Sequence, residues 1–226
     1  MNHGRFRRIR LLTKNLEQMH TFYAETLELP IRVDNKKKKL TVIVGESELE
    51  FVEESTESRC YHFAINIPNN MFAEAKRWLA LRTKLLLDSE VGTDQRFFAN
   101  WNAHAVYFSD PDGNIGELIA RHTLPICRAG VFGPDKMLHI SEIGLPSPNP
   151  DELADQLMKQ YDLSMYGDSS FAIGDEYGLF ILPEVDRPWI PERRHLAAIY
   201  STAIDLRGQG GKLMPSRLPF VVETSD

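Results

Sequence analysis

The sequence predicts an α+β protein assembled from four similar units, and three observations support this fold class. Four segments begin alike, and their first residues are 54, 77 and 56 positions apart: RIRLLTKN from Arg8, HFAINIPN from His62, HISEIGLP from His139 and HLAAIYST from His195. A helical pattern follows this segment in the first three units, and strand patterns follow the first helix. Self-similarity at a fixed period, here of about 55 residues, indicates repeated structural units. We therefore predict βαβββ units that pair two and two.

The first unit shows the complete pattern. Its leading strand ends before Asn15, whose side-chain oxygen can cap a helix by accepting a free backbone N–H. Apolar residues then recur at helical spacing, at Leu16, Met19, Phe22, Tyr23 and Leu27. Three strand patterns follow, over residues 31–33, 40–45 and 48–53. The order of strand, helix and three strands defines the unit.

The later units repeat this pattern with increasing losses. We expect Asn69 or Asn70 to cap the second helix, and Asn149, followed by Pro150, to begin the third. The fourth unit is cut down, since Gln209-Gly210-Gly211 stands where its helix should lie. A final strand over residues 218–223 is expected to be what remains of its hairpin.

The long middle gap between the segments contains a stretch with two prolines and two glycines, residues 123–136, which is typical of a linker. We therefore predict a paired βαβββ domain over residues 1–124, a linker over 125–135 and a second, truncated paired βαβββ domain over 136–226. Cleft-bearing mixed sheets are expected in both domains. We expect the first domain to carry the functional site and the second to be degenerate.

Composition excludes several classes of partner. The chain has 226 residues, a net charge of −6 and a pI near 5.7, so nothing in its electrostatics favours nucleic acid or an anionic membrane. No apolar run approaches the length of about 20 residues that spans a bilayer. Cys60 and Cys127 are too few for a disulfide framework. We expect a cytoplasmic monomer or homodimer whose partner is a small molecule.

The segment AVYFSDPDGNIGELIAR, residues 105–121, predicts a hairpin whose returning strand carries one acid, Glu117. Pro and Gly set the turn dihedrals, and the Asp and Asn side chains bond their own backbone. These residues resemble the closing hairpin of the vicinal oxygen chelate superfamily, which includes glyoxalase I, fosfomycin-resistance proteins, extradiol dioxygenases and bleomycin-binding proteins. In that superfamily, whose fold is built from paired βαβββ units, the Glu two residues into the strand is typically a metal ligand.

Alternation along the strands places Arg8, Glu50, His62 and Glu117 on the polar faces of their strands. Such a face can simply meet solvent. The resemblance implies instead that these positions, near the start of the first strand and in the last strand of each unit, converge in a cleft. The implied ligands are His62, Glu117 and Glu50, a set that suits Zn, Mn, Fe or Ni. Glu117 or Glu50 is also the implied catalytic base.

Arg8 departs from the superfamily pattern, which commonly has His or Gln at this place. A guanidinium has only donors and is permanently charged, so it cannot bind a metal. Either Arg8 faces an anionic substrate beside the ion, or it pairs with Glu50 and Glu117 and replaces the metal. The sequence leaves both alternatives open.

Weaker candidates for substrate contact are Arg10, Arg121 and Tyr107. The two arginines share the polar faces with Arg8 and can receive a carboxylate or phosphate, or they are surface arginines. Tyr107 lies where fosfomycin-type members often place a substrate-contacting Tyr, or it is a core aromatic residue. His139 matches His62 in position, but Leu179 and Phe180 stand where its unit would need a Glu. We therefore expect no site in the second domain.

The resemblance implies a metal-dependent enzyme that chelates the oxygens of a small anionic molecule, as a lyase, isomerase or transferase. Extradiol ring cleavage is less favoured, because the positions above do not supply two His and one carboxylate. The alternative is a metal-free protein that binds or sequesters a small molecule, with Arg8 in place of the metal.

Overall fold

The computed structural model describes residues 4–54 and 59–225, so the outer ends of the two expected domains, residues 1 and 226, lie outside it. Unit one contains β1 (Phe6–Thr13), α1 (Leu16–His20), β2 (Ile31–Asp34), β3 (Lys39–Val44) and β4 (Ser47–Glu53). The predicted cap is confirmed, since the Asn15 side chain accepts a hydrogen bond from the Gln18 backbone at 3.0 Å. The helix continues as a π-helical turn over Thr21–Thr26.

Unit two contains β5 (His62–Ile67), α2 (Phe72–Ala80), β6 (Arg96–Phe98), β7 (Ala103–Ser109) and β8 (Ile115–Arg121). The predicted helix cap is wrong here. Met71 precedes α2 and makes no side-chain cap, while Asn69 and Asn70 donate hydrogen bonds to the carbonyls of Leu124 and Arg128. The two asparagine side chains therefore secure the segment that leaves β8.

Unit three contains β9 (His139–Gly144), α3 (Pro150–Tyr161), β10 (Ala172–Asp175) and β11 (Gly178–Ile181), and the Asn149 cap is confirmed. Unit four contains β12 (Thr202–Arg207), β13 (Lys212–Leu213) and β14 (Phe220–Ser225). The unit begins at Thr202 rather than at His195, whose carbonyl accepts a hydrogen bond from the Trp189 backbone. As expected, no helix joins β12 and β13 within the described residues.

Two mixed sheets of seven strands contain all of these strands, in the orders β13-β14-β12-β1-β4-β3-β2 and β10-β11-β9-β5-β8-β7-β6. The first sheet joins units one and four through the antiparallel pair β1 and β12, with Ile9 opposite Ile204. The second joins units two and three through β5 and β9, with Phe63 opposite Ile143. The sheets therefore do not follow the expected division at residues 125–135. The paired units are one with four and two with three.

The main hydrophobic core combines apolar residues of both sheets with the inner faces of the three helices, including Met19, Leu79 and Leu157. The two sheets differ on their other faces. Every residue of β5 and β8 is buried, because a second apolar cluster that includes Trp189 covers that side of the second sheet. On the first sheet, Arg8 and Arg10 remain partly exposed. The covered polar face is therefore that of units two and three.

No helix among the described residues is long and apolar enough to cross a membrane.

Candidate metal centre and its cavity

Three buried side chains of the second sheet converge: His62 at the start of β5, Glu117 in β8 and Glu142 in β9. Each offers one ligand atom, and these atoms lie within 4.8 Å of one another. Imidazole and carboxylate ligands at such spacing suit zinc, manganese or iron(II). This is the one cluster of at least three such side chains among residues 4–54 and 59–225.

His62 is held in the form that a metal requires. Its Nδ1 lies 3.2 Å from the carbonyl oxygen of Ile115, and its Nε2 lies 3.6 Å from Glu117. Burial lowers the pKa of His62 to about 4, so the imidazole is neutral at pH 7. A ring that donates from Nδ1 to a carbonyl presents the lone pair of Nε2, which is a common arrangement for metal-ligating histidines.

Trp189 covers the imidazole. Its ring centroid lies 5.2 Å from that of His62. Gly144 at the end of β9 permits this approach, since a Cβ there would lie 2.6 Å from the indole. The backbone of Trp189 bonds to His195, so the segment between β11 and β12 is folded back on itself over the site.

Glu142 belongs to a buried hydrogen-bond network. It accepts a hydrogen bond from Arg121, whose Nε donates to the side-chain oxygen of Asn66 at 3.2 Å. Asn66 in turn lies 3.1 Å from Nε2 of His139. The Arg121 side chain is 0% exposed, and its second terminal nitrogen has no hydrogen-bond partner among the described residues. The network holds one oxygen of Glu142, and the other accepts no hydrogen bond from a residue that the structure describes.

The charges of the site favour a cation. Burial raises the pKa of Glu117 well above its usual value, and the neighbouring Glu142 raises it further. Burial also raises the pKa of Glu142, although Arg121 opposes this shift. One buried guanidinium cannot neutralise two carboxylates, whereas a divalent ion would stabilise both in their charged form. The residues present therefore fit a metal ion.

The three side chains line a cavity of about 630 Å³. The phenol of Tyr107 and the indole of Trp189 also line it. The Tyr107 hydroxyl faces Glu117 and opposes the rise in the pKa of that acid, while the indole N–H has no hydrogen-bond partner among the described residues. Tyr107 lies opposite Glu117 in the pairing of β7 with β8. The group of His62, Glu117 and Glu142 therefore has two hydrogen-bond donors beside it, the Tyr107 hydroxyl and the unpartnered indole N–H.

The structure does not place Glu50 with the predicted ligands. Glu50 lies in the other sheet, where it accepts hydrogen bonds from Arg10 at 2.9 Å and from Lys39 at 2.6 Å. Although burial opposes the shift, these two cations hold the pKa of Glu50 below its usual value. The structure therefore does not bring Glu50 to His62 and Glu117 as expected, and the acid that lies with those two residues is Glu142.

Arg8 and Arg10 also lie away from the cavity. Arg8 donates to Glu48 at 3.1 Å and lies 3.7 Å from Glu50, so it pairs with one of the two carboxylates expected for it and not with Glu117. Of the other predicted contact residues, Tyr107 reaches the cavity, and Arg121 lies beneath it as the partner of Glu142.

Glu142 was missed because a β-bulge breaks the alternation of β9. Ala64 pairs with Glu142, but the next residue, Ile65, pairs with Ile140, so Ser141 is an extra residue in the strand. Strict alternation would put His139 and Glu142 on opposite faces, whereas the bulge brings both to the same buried network. The one available signal was the acid among the residues of the predicted strand HISEIG.

The network also makes stability depend on pH. Burial, followed by the charges of nearby arginines, lowers the pKa of His139 to about 4, against about 6.5 in an unfolded chain. As the pH falls, His139 is therefore protonated in the unfolded state before it is protonated in the folded state. The stability that its neutral form contributes above pH 6.5 is lost as the pH falls to 4. We expect His139 to contribute about 3 kcal/mol to this loss.

Urea unfolding at pH 7 and pH 4 measures this contribution. His139→Gln should reduce the loss by its own share and leave that of His62, whose pKa burial also lowers to about 4. His195→Gln, at an exposed histidine, should leave the dependence unchanged. An equal loss of stability in His139→Gln and the parent protein would contradict the assignment.

Comparisons with known proteins agree with this architecture. No protein-family model matches the sequence, and no curated protein matches it. Among solved structures, a proposed dioxygenase from Bacillus subtilis is 16% identical with a TM-score of 0.63, over 99% of this chain and 86% of that chain. A glyoxalase I mutant from Zea mays is 13% identical with a TM-score of 0.57, over 98% of this chain and 94% of that chain. A second glyoxalase I mutant from Zea mays is 15% identical with a TM-score of 0.56, over 98% and 92% of the two chains.

Proposed function

We propose that this chain, which has the fold of the vicinal oxygen chelate superfamily, is a metal-dependent enzyme that acts on a small anionic molecule. The observation that carries the proposal is the buried group of His62, Glu117 and Glu142 at the wall of a cavity. Buried carboxylates are costly unless they are paired or bind a metal, so their convergence beside a neutral imidazole favours a metal centre.

His62, Glu117 and Glu142 would hold a divalent ion such as Zn²⁺, Mn²⁺, Fe²⁺ or Ni²⁺. A bound ion would supply Lewis acidity to an oxygen of the substrate. Glu117 is the candidate proton acceptor, because it lines the cavity and has no salt bridge other than its contact with His62 among the described residues. Tyr107, opposite Glu117, would donate a hydrogen bond to a substrate oxygen.

The donor set bears on the reaction type. It has one imidazole and two carboxylates, which differs from the two His and one carboxylate typical of non-haem iron oxygenases. Proton transfer next to a carbonyl or addition to a bound group, as in a lyase, isomerase or transferase, therefore fits these residues better than oxygen activation does.

A metal-free binding or sequestration protein is the second candidate function. The observation that favours it is the salt bridge of Arg121 with Glu142, which already neutralises one of the two carboxylates. Burial raises the pKa of Glu117 well above its usual value, which favours the neutral form of this carboxyl when no metal is bound. The cation that takes the place of the metal in this alternative is therefore Arg121 rather than Arg8.

Metal content and thermal stability separate the two functions. Protein purified without a histidine tag should contain about one divalent ion per chain, and EDTA should lower its melting temperature. Adding Mn²⁺, Zn²⁺, Fe²⁺ or Ni²⁺ at a hundred times the dissociation constant should restore about 2.7 kcal/mol of stability. Protein without bound metal whose melting temperature responds to none of these ions would support the metal-free alternative.

The proposed proton acceptor has its own test. With metal-loaded protein in D₂O, NMR should show exchange of the α-proton of a bound α-hydroxy acid such as mandelate. Because Glu117 is also a proposed ligand, the variant and the parent are compared at saturating metal, where Glu117→Gln should lower the exchange rate by at least about a hundredfold, the lower end of what a positioned base contributes. Exchange at the parent rate in the variant would show that Glu117 is not the base.

A further inference from the structure

We propose that the cavity takes an aromatic anion, with its ring against three aromatic side chains of the wall and its anionic group at Arg187. The inference rests on the proposed function, since it concerns the ligand of the same cavity. It names a chemical class and an anchoring residue that the metal centre alone does not specify.

Three aromatic rings form one continuous part of the wall. Phe98 and Trp101 lie 5.8 Å apart between ring centroids, and Trp101 lies 6.4 Å from Phe171. All three line the cavity and are only partly buried, so apolar ring surface faces its interior. Aromatic rings gain from offset or edge contacts beyond the burial of area, which favours a planar ring as the occupant of this wall.

Three arginines also line the cavity, and two of them are already neutralised. Arg96 lies 2.7 Å from Asp88 and 2.9 Å from Glu90, and Arg193 pairs with the same Glu90. The guanidinium of Arg187, by contrast, lies 4.5 Å from the ring centroid of Phe171. It forms no salt bridge with any residue in 4–54 or 59–225. Arg187 is thus the arginine of the cavity that remains available to an anion, and it stands next to the aromatic wall.

The polar atoms deeper in the cavity suit a further oxygen on the ligand. The indole N–H of Trp189 belongs to a side chain at least nine-tenths buried and has no hydrogen-bond partner within the described residues, and the equally buried hydroxyl of Tyr107 lies beside Glu117. A buried donor without a partner is costly, so a ligand oxygen that accepts from it is favoured. A cavity of about 630 Å³ is of the size that holds small molecules.

Isothermal titration calorimetry with benzoate tests this inference on the full chain, both in EDTA and with Mn²⁺ present. Cyclohexanecarboxylate has the same charge without the aromatic ring, and benzyl alcohol has the ring without the charge. We expect benzoate to bind several-fold more tightly than either. Arg187→Gln should weaken benzoate binding about fivefold, the effect of one solvent-accessible ion pair.

Arg194→Gln is the matched control, because Arg194 is exposed on the same segment and does not line the cavity. It should leave the affinity unchanged. Both arginines are exposed, so unchanged melting temperatures should verify that both variants fold. Equal affinity for benzoate and cyclohexanecarboxylate, absence of benzoate binding, or an unchanged affinity in Arg187→Gln would each overturn the inference. Benzoate binding in EDTA that depends on Arg187 would support the aromatic-anion inference even if the protein binds no metal. Failure of this inference is therefore distinguishable from failure of the proposed metal-dependent function.

Discussion

Replacing Arg121 with Met should lower the free energy of unfolding of the metal-free protein by about 3–5 kcal/mol at pH 7. The Arg121 side chain is completely buried and is the hydrogen-bonded partner of Glu142. Without it, the buried carboxylate of Glu142 would have no cation beside it and would face Glu117. The loss comes from this uncompensated charge, and urea unfolding in EDTA would measure it.

A second substitution identifies the cause. Arg121→Met combined with Glu142→Leu removes both charges, and such replacement of a buried pair by apolar residues is often close to neutral. The double variant should therefore recover most of the stability that the single variant loses. Added divalent metal should also stabilise Arg121→Met more than the parent protein, because the ion would replace the missing cation. A loss below about 1 kcal/mol in the single variant, the range of an exposed pair, would show that Arg121 does not compensate the site.

Replacing Glu142 with Gln should weaken binding of a divalent ion by more than about a hundredfold, because loss of a ligand exceeds the usual effect of an outer-shell change. Glu50→Gln is the matched control. Glu50 is buried to the same extent, but it lies in the other sheet beside Arg10 and Lys39. Its substitution should leave metal affinity unchanged and lower stability, because those cations lose a partner.

Titration of EDTA-treated protein with Mn²⁺ would compare the two variants directly. If Glu50→Gln lost metal binding and Glu142→Gln retained it, the ligand set predicted from the sequence, with Glu50, would be supported. The set with Glu142 in the second sheet would then be excluded. The comparison thus tests which pair of units forms the site.

Features set by neighbouring residues could be read from the sequence. The caps at Asn15 and Asn149 and the hairpin that presents Glu117 depend on hydrogen bonds and turn dihedrals within a few residues. The placement of His62 and Glu117 on one face follows from alternation in two regular strands, which run parallel with Ala64 opposite Glu117. The shared polar face of His62 and Glu117 was therefore predictable from the sequence, whereas their role as ligands was implied by the resemblance to the superfamily.

The position of Glu142 beside His62 and Glu117 depends on strand pairing between distant units, which interactions between neighbouring residues do not determine. Each unit presents a leading strand that can pair with that of another unit, and only the packed protein joins β5 to β9 rather than to β1. The extra residue at Ser141 then reverses the alternation and turns Glu142 toward the network that also holds His139.

The burial of the site also depends on contacts between residues far apart in the chain. The leading strands β1 and β5 both carry polar side chains on one face. In the folded protein, Trp189, far along the chain, covers His62 of β5, while Arg8 of β1 remains partly exposed. The sequence by itself indicated the repeating units, the caps at Asn15 and Asn149 and the shared face of His62 and Glu117, because these follow from sequence periodicity and local geometry. The tertiary structure alone decided which units pair, which acid completes the group and which polar face becomes a cavity, because these arise from contacts between residues far apart in the chain.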